Sequence, residues 1–444
     1  MYYRLKEPWA FRGWQKTPFA ITALAGQFKQ EKPFFFKKDE FLELLYCNGE
    51  EDINIENFTD TAKQTIHELM NKGFMESSET ALEPLKEWQR YNVYPSRYVR
   101  SVHWSITGKC NFKCRHCLVS APLAKHPQLP LEDCIHIVHE IAKCGIKRVD
   151  ITGGEPLLRR DFEEIVKELE KYGIDIGVIF TNASLLNQDV LDMLKRHKQH
   201  PAFQLSFDGK GHHDWLRGID GAEKQADDAF RLLQENKLPA VAAMCIHKGN
   251  RESLRATINY LAGYGVLGLR LNAPQDFGIW REYSDEYALS EDEVWETYRE
   301  YIPYYFQDGM PLDLELDGYF NCKKGATFYT IPYSHDLKEN MDWNKIPYCE
   351  STRFNTYIGP EGNLAPCMGF SDSPLKEKFP NVLKQPLAEL TLSGFTYDIV
   401  NTKVADFLAK NPECRDCEHL GHCTGGCMLA DITDEGDFLV PDKR

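Results

Sequence analysis

Three things are missing from this 444-residue chain, and each absence narrows the field. There is no uninterrupted apolar run of about 18 residues, the length a membrane helix needs, so no membrane partner is implied. There is no basic excess: 52 Lys and Arg stand against 67 Asp and Glu, a net charge of −15. That balance argues against nucleic acid or an anionic membrane surface as the main partner. The opening stretch MYYRLKEPWAFRGW lacks the apolar core of an export signal, which points to a cytoplasmic protein. Internal repeats and low-complexity tracts are also lacking. Fourteen cysteines are present, however, and without an export signal they read as metal ligands rather than disulfides.

Three of those cysteines, Cys110, Cys114 and Cys117, fall in the run CNFKCRHC. Three thiolates can hold three irons of a cubane [4Fe–4S] cluster, whereas a cluster held by protein alone takes four. The fourth iron is then open to another ligand, as the open position of a catalytic zinc is. The triplet follows an alternating apolar stretch, Val102 to Ile106, that has the period of a strand. Further on, Val149 to Thr152 leads into Gly153-Gly154-Glu155-Pro156. Glycines there let backbone approach a ligand closely, and a carboxylate suits an ammonium group. In this register, C-x3-C-x2-C followed by GGEP resembles the radical S-adenosylmethionine (SAM) enzymes.

Candidate strands continue at Lys147 to Thr152, Asp175 to Phe180, Phe203 to Phe207, Ala240 to Ile246 and Leu267 to Leu271. Helical patterns lie between them, such as Leu131 to Cys144 before Gly145 and Asp161 to Tyr172 before Gly173. Alternation of this kind predicts an α/β fold with a parallel sheet and right-handed crossovers. It agrees with the partial (β/α)6 TIM-like barrel of the family, whose site lies at the C-terminal ends of the strands. The resemblance implies SAM contacts from the GGEP residues, from Thr181 and Asn182, from Ser206 and Asp208 to the ribose, and from Arg217 to the SAM carboxylate. His116 matches a position whose backbone meets the adenine, and Asn272 is a further candidate contact.

The C-terminal part repeats the theme. Cys349, Gly362 and Cys367 are followed by Cys414, Cys417, Cys423 and Cys427, in the order C-x12-G-x4-C and C-x2-C-x5-C-x3-C. A generic reading of the last four is a zinc knuckle. The whole arrangement resembles the SPASM domain, which holds two auxiliary iron–sulfur clusters. By that resemblance Cys349, Cys367 and Cys427 ligate the first, and Cys414, Cys417 and Cys423 the second. The usual eighth cysteine is absent before Arg444, so the natural chain continues, the iron is open, or an acidic tail residue such as Asp442 replaces it. Cys322 is a candidate fourth ligand of the first auxiliary cluster and, alternatively, the hydrogen donor an epimerase needs. Sulfatase-maturing relatives carry an aspartate directly after the cysteine matching Cys367, where this chain has Met368. Cys47, Cys134, Cys144 and Cys245 read as small apolar packing residues.

Residues 1–90 lack metal motifs. Strands are expected over Tyr2 to Trp14 and Pro18 to Leu24, and helices over Lys37 to Tyr46 and Asn57 to Lys72, a small α+β, winged-helix-like unit. That order and the phrase DEFLELLYCNG resemble a PqqD-like module that binds a leader peptide at a sheet edge. Glu83 to Tyr98 reads as a linker, 98–285 as the barrel, and 286–444 as a connection and the SPASM domain. The expectation is an enzyme that uses a 5′-deoxyadenosyl radical to modify a ribosomally made peptide by cross-link, thioether or epimerisation. Its partners would be a precursor peptide and a reductant such as flavodoxin or ferredoxin. Action on a small molecule or tetrapyrrole, or a zinc-bearing scaffold, are the competing readings.

Overall fold

The structure, a computed structural model, describes residues 1–23, 33–274, 278–317, 320–327, 329, 341–417, 420–429 and 432–441. Leu24 and Asp442, both part of the expectations above, lie outside them.

The chain opens with four strands: β1 (Tyr2–Leu5), β2 (Trp9–Trp14), β3 (Thr17–Ala23) and β4 (Phe34–Phe35). Helices α1 (Lys38–Leu44) and α2 (Asp60–Asn71) follow, then β5 (Met75–Ser78) and β6 (Asn92–Tyr94). Thr59 caps α2 by accepting from Ala62 N, so the helix starts at Asp60 rather than Asn57. β1 pairs with β5, and the other strands form a sheet in the order β4-β3-β2-β6. Trp9, Phe11, Ile21, Phe41, Ile66 and Leu69 close a core separate from that of the barrel. The stretch expected as a linker is therefore built in, because β6 pairs in parallel with β2.

The barrel is a parallel run of β7 (Ser101–Ser105), β8 (Arg148–Thr152), β9 (Asp175–Thr181), β10 (Ala202–Ser206), β11 (Ala240–Cys245), β12 (Gly268–Asn272) and β13 (Asp313–Leu316). Its crossovers carry α3 (Leu131–Lys143), α4 (Phe162–Lys171), α5 (Gln188–Arg196), α6 (His213–Arg217), α7 (Ala222–Glu235), α8 (Leu254–Gly263), α9 (Ser284–Tyr287) and α10 (Glu291–Gln307). Helix α3 turns Cys134, Ile137, Val138 and Ile141 onto the sheet, and α4 turns Phe162, Ile165, Val166 and Leu169. Each such burial contributes about 1.5–3 kcal/mol before entropy is counted. Among the described residues no helix is long and apolar enough to cross a membrane.

The sheet does not end with the barrel. Strand β14 (Phe320–Cys322) caps one edge, and β15 (Asn355–Ile358) with β16 (Leu364–Ala365) extends the other, giving ten strands in the order β14-β13-β12-β11-β10-β9-β8-β7-β15-β16. β15 pairs in parallel with β7, Asn355 opposite Ser101 and Ile358 opposite Trp104. The C-terminal part packs its own core around Tyr348, Tyr357, Phe370 and Phe407.

The N-terminal unit rests on the end of α3. Trp14 Nε1 and Ser96 Oγ both donate to Cys144 O, at 3.1 and 3.0 Å. Gly145 ends the helix with φ +68°, and a Cβ there would lie 2.3 Å from the Tyr94 ring. Gly145→Ala is expected to cost about 1–3 kcal/mol through that overlap and the left-handed backbone. The thermal unfolding midpoint would report it. The same change in a Tyr94→Ala background should cost less, because the ring it strikes is gone.

Candidate active site

The cysteine loop leaves β7 and is laced by backbone to the turn that leaves β8. Gly154 N donates to Thr107 O at 2.9 Å and Glu155 N to Lys109 O at 2.8 Å. A Cβ on Gly153 would lie 2.5 Å from Thr107 O, and one on Gly154 2.3 Å from Lys109 O. The two glycines are therefore required by the approach of one loop to the other. Pro156 opens the short helical turn that follows.

The thiols have donors aimed at them. Phe112 N points at Cys110 Sγ and Ala121 N at Cys117 Sγ, each at 3.4 Å. Asn182 Nδ2 lies 3.8 Å from Cys110 Sγ and Arg217 Nη1 3.9 Å from Cys114 Sγ. Burial, with repulsion from the neighbouring cysteines added, pushes Cys110 up to about 12 and Cys117 up to about 11. Three thiols that would repel one another as thiolates, each with an N–H or a cation beside it, fit the donor set of an anionic iron–sulfur cluster. Among the described residues no three His, Cys, Asp or Glu side chains are grouped tightly enough to hold a single metal ion.

Glu155 is fully buried, and its carboxylate is occupied. It accepts from Leu157 N at 3.0 Å, Asn182 N at 2.8 Å and Thr181 Oγ1 at 2.9 and 3.0 Å. Burial raises its pKa to about 7, against these donors. The side chain ties the β8 turn to the end of β9. Asn182 Oδ1 accepts from Ser184 N and Oγ, and its Nδ2 donates to Asn111 Oδ1, which anchors the cysteine loop to β9.

A second buried carboxylate organises the other side. Asp208 accepts two bonds from Arg217, Nε to Oδ2 at 2.7 Å and Nη2 to Oδ1 at 3.1 Å, and one from Cys245 N at 2.9 Å. His213 Nδ1 lies 3.0 Å from Oδ2. Burial would raise the Asp208 pKa, but the charge of Arg217 and the bond to His213 hold it well below the usual carboxylate range. Asp208 is the counter-charge of Arg217, leaving Nη1 directed toward Cys114. His213 was not anticipated, although its i, i+4 spacing from Arg217 on α6 was readable.

His116 is half-buried, its enclosed Nδ1 has no hydrogen-bond partner, and burial, reinforced by Arg217, lowers its pKa to about 3. The ring is neutral and offers a polar atom to a ligand. Ser206 and Asn272 end β10 and β12 on the half-buried side of their strands. Cys245, expected as packing, belongs to that side too. On β11, Ala240, Ala242 and Met244 are buried under helices while Val241, Ala243 and Cys245 face the barrel interior. Burial pushes its thiol up to about 12, with Asp208, Arg217 and Cys114 among its neighbours.

Cys322 closes β14. It pairs opposite Leu314, on the face covered by helix α10, and Tyr305 OH reaches its carbonyl at 3.5 Å. This places the thiol under a helix at the β14 edge, away from Cys349 and Cys367. Those two lie with the C-terminal core beyond the opposite edge. Burial pushes Cys367 up to about 12, and Cys427 and then Cys349 add to the shift. Burial likewise raises Cys414, with Glu413, Cys417 and Cys423 as charged neighbours. The fold thus brings Cys367 near Cys349 and Cys427, and Cys414 near Cys417 and Cys423.

Comparison with known proteins agrees with this geometry. Residues 104–261 match the Radical SAM superfamily. The sporulation killing factor maturation protein SkfB of Bacillus subtilis is 27% identical over 286 residues, 64% of this chain and 63% of that protein, so the match spans less than two thirds of the relative. The AdoMet-dependent heme synthase of Methanosarcina barkeri is 23% identical over 367 residues, 77% of this chain and 94% of that one. Streptococcus suis SuiB, solved with its precursor peptide SuiA, shares the fold with a TM-score of 0.64 at 15% identity, over 99% of both chains.

Asp208→Asn leaves the Arg217 cation buried opposite a neutral amide. It is expected to cost about 3–5 kcal/mol, read as a fall in the urea unfolding midpoint under anaerobic conditions. An unchanged midpoint would mean that Arg217 has another counter-charge.

Proposed function

From the premise of a radical SAM domain over residues 104–261, we propose that this chain is a radical SAM enzyme that modifies a ribosomally synthesised peptide and carries two auxiliary iron–sulfur clusters. The observation that carries the reading is the cysteine loop, laced to the glycine turn and facing Arg217 at the C-terminal ends of parallel strands. When bound, a cluster and SAM supply one-electron cleavage of the sulfonium and hence hydrogen-atom abstraction from a substrate.

In this reading Cys110, Cys114 and Cys117 hold the cluster, and the N–H groups of Phe112 and Ala121 moderate the sulfur charge. Arg217, kept charged by Asp208, meets the SAM carboxylate. Glu155, Thr181 and Asn182 hold the glycine turn and the cysteine loop at a fixed spacing. His116, Ser206 and Asn272 lie around the nucleoside. Cys349, Cys367 and Cys427 hold the first auxiliary cluster, and Cys414, Cys417 and Cys423 the second. Forming a cross-link from a carbon radical releases one more electron, and an auxiliary cluster is a chemically suitable acceptor.

A peptide substrate is supported by the likeness to SkfB and to SuiB, whose structure includes a precursor peptide. It is supported too by the N-terminal unit, where Phe35 on β4 and Val93 on β6 are exposed at the two edges of the sheet. Among the described residues each of these edge strands has a single neighbour, so either can take an added strand. A flavodoxin- or ferredoxin-like donor would deliver the electron. A second reading, action on a tetrapyrrole or other small molecule, is favoured by the long match to the heme synthase.

Anaerobic reconstitution tests the class. About twelve irons per chain are expected for three cubanes, with release of 5′-deoxyadenosine on reduction in the presence of SAM. Cys114→Ala should abolish nucleoside release while keeping the iron of the auxiliary sites. Zinc in place of iron, or no nucleoside from fully loaded protein, would sink the proposal.

A further inference from the structure

His126 lies outside the site described above, and its ring is gripped from both sides. Nδ1 is 3.0 Å from Glu361 Oε1 and Nε2 is 3.0 Å from Asp372 Oδ1, with the residue only 7% exposed. A carboxylate accepts and a neutral imidazole has one N–H, so a neutral ring would set two lone pairs against each other at one of these contacts. The geometry requires the doubly protonated ring. Behind it, His126 is pressed on Gly108: a Cβ there would lie 2.4 Å from His126 O, and Gly108 N donates to Pro127 O at 2.9 Å.

These contacts join two stretches that are distant in sequence. Gly108 leads directly into Cys110, and Asp372 ends the short helical turn that begins just after Cys367. We propose that His126, as an imidazolium clasped by Glu361 and Asp372, is a positioning residue that fixes the segment carrying Cys367 against the loop carrying Cys110. The consequence for electron transfer between those segments rests on the proposed function; the clasp itself does not.

The charged surroundings are Lys125, 3.5 Å from Asp372, the two clasping carboxylates, and Lys376, Glu377 and Tyr357 around the adjoining cavity. The bond to Asp372 first, then that to Glu361, raises the His126 pKa above the ordinary imidazole value, with burial opposing. A raised histidine stabilises the fold fully below its unfolded pKa of about 6.5, and that stability is lost as pH rises through the folded value. The clasp is therefore closed below about pH 6.5 and released as pH rises through the raised folded value.

Anaerobic hydrogen exchange of the reconstituted protein, followed by mass spectrometry, tests this without a substrate. Rates are corrected for intrinsic base catalysis, and α4 and α7 serve as internal references. On going from about pH 6 to about pH 9, exchange in 118–130 and 359–374 should rise about tenfold while the references hold. His126→Gln should exchange fast at both ends with no step. Glu361→Gln, at a partly exposed position, should move the step to lower pH. If His126→Gln loses protection in the references as well, it has misfolded and Glu361→Gln decides. A wild-type profile without a step, a step that survives His126→Gln, or one unmoved by Glu361→Gln would overturn the proposal.

Discussion

The site depends on buried carboxylates that accept from loops rather than on a preformed pocket. Glu155 collects donors from its own turn and from the end of β9. Asp208 collects them from α6 and from the end of β11. An ionised group out of water is costly unless every lone pair is met. Here the donors come both from the carboxylate's own crossover and from the end of another strand. The cost of burying the charge thus becomes a constraint on where the strand ends stand. The cysteine loop inherits its position from both, through Asn182 on one side and Arg217 on the other.

The strands from β7 to β12 were legible to within about a residue, because alternation in a parallel sheet flanked by helices leaves a strong period, whereas β13 was not among them. Residues 101–105, 148–152 and 240–245 show it directly. The segment over 83–98 was not legible, since a three-residue strand, Asn92 to Tyr94, has no period to show and its charged and aromatic mixture resembles a linker. The face taken by Cys245 was not legible for a related reason. A cysteine in an apolar strand looks like packing, and only the pairing register tells which face it takes. The surroundings of Cys322 were likewise not legible, because the antiparallel edge that sets them under α10 leaves no mark in local spacing.

Motif residues were more readable than their roles. Glu155 and Asp208 follow the ends of β8 and β10, and Arg217 closes α6. Their partners could not be read, because a hydrogen bond between crossovers leaves no trace in local spacing. The exception is His213 with Arg217, where one helix supplies both.

The pairing of β15 with β7 has a consequence in time as well as in space. The strand that launches the cysteine loop finds its outer neighbour only at residue 355, some 250 positions later in the chain. During synthesis from the N-terminus, the barrel can collapse around β8 to β13 while that edge of β7 remains open. The loop is therefore sealed last, by the same segment that brings Cys367. Such distant closure is entropically slow, and it leaves the nascent cysteine loop accessible from its edge until the C-terminal part has folded.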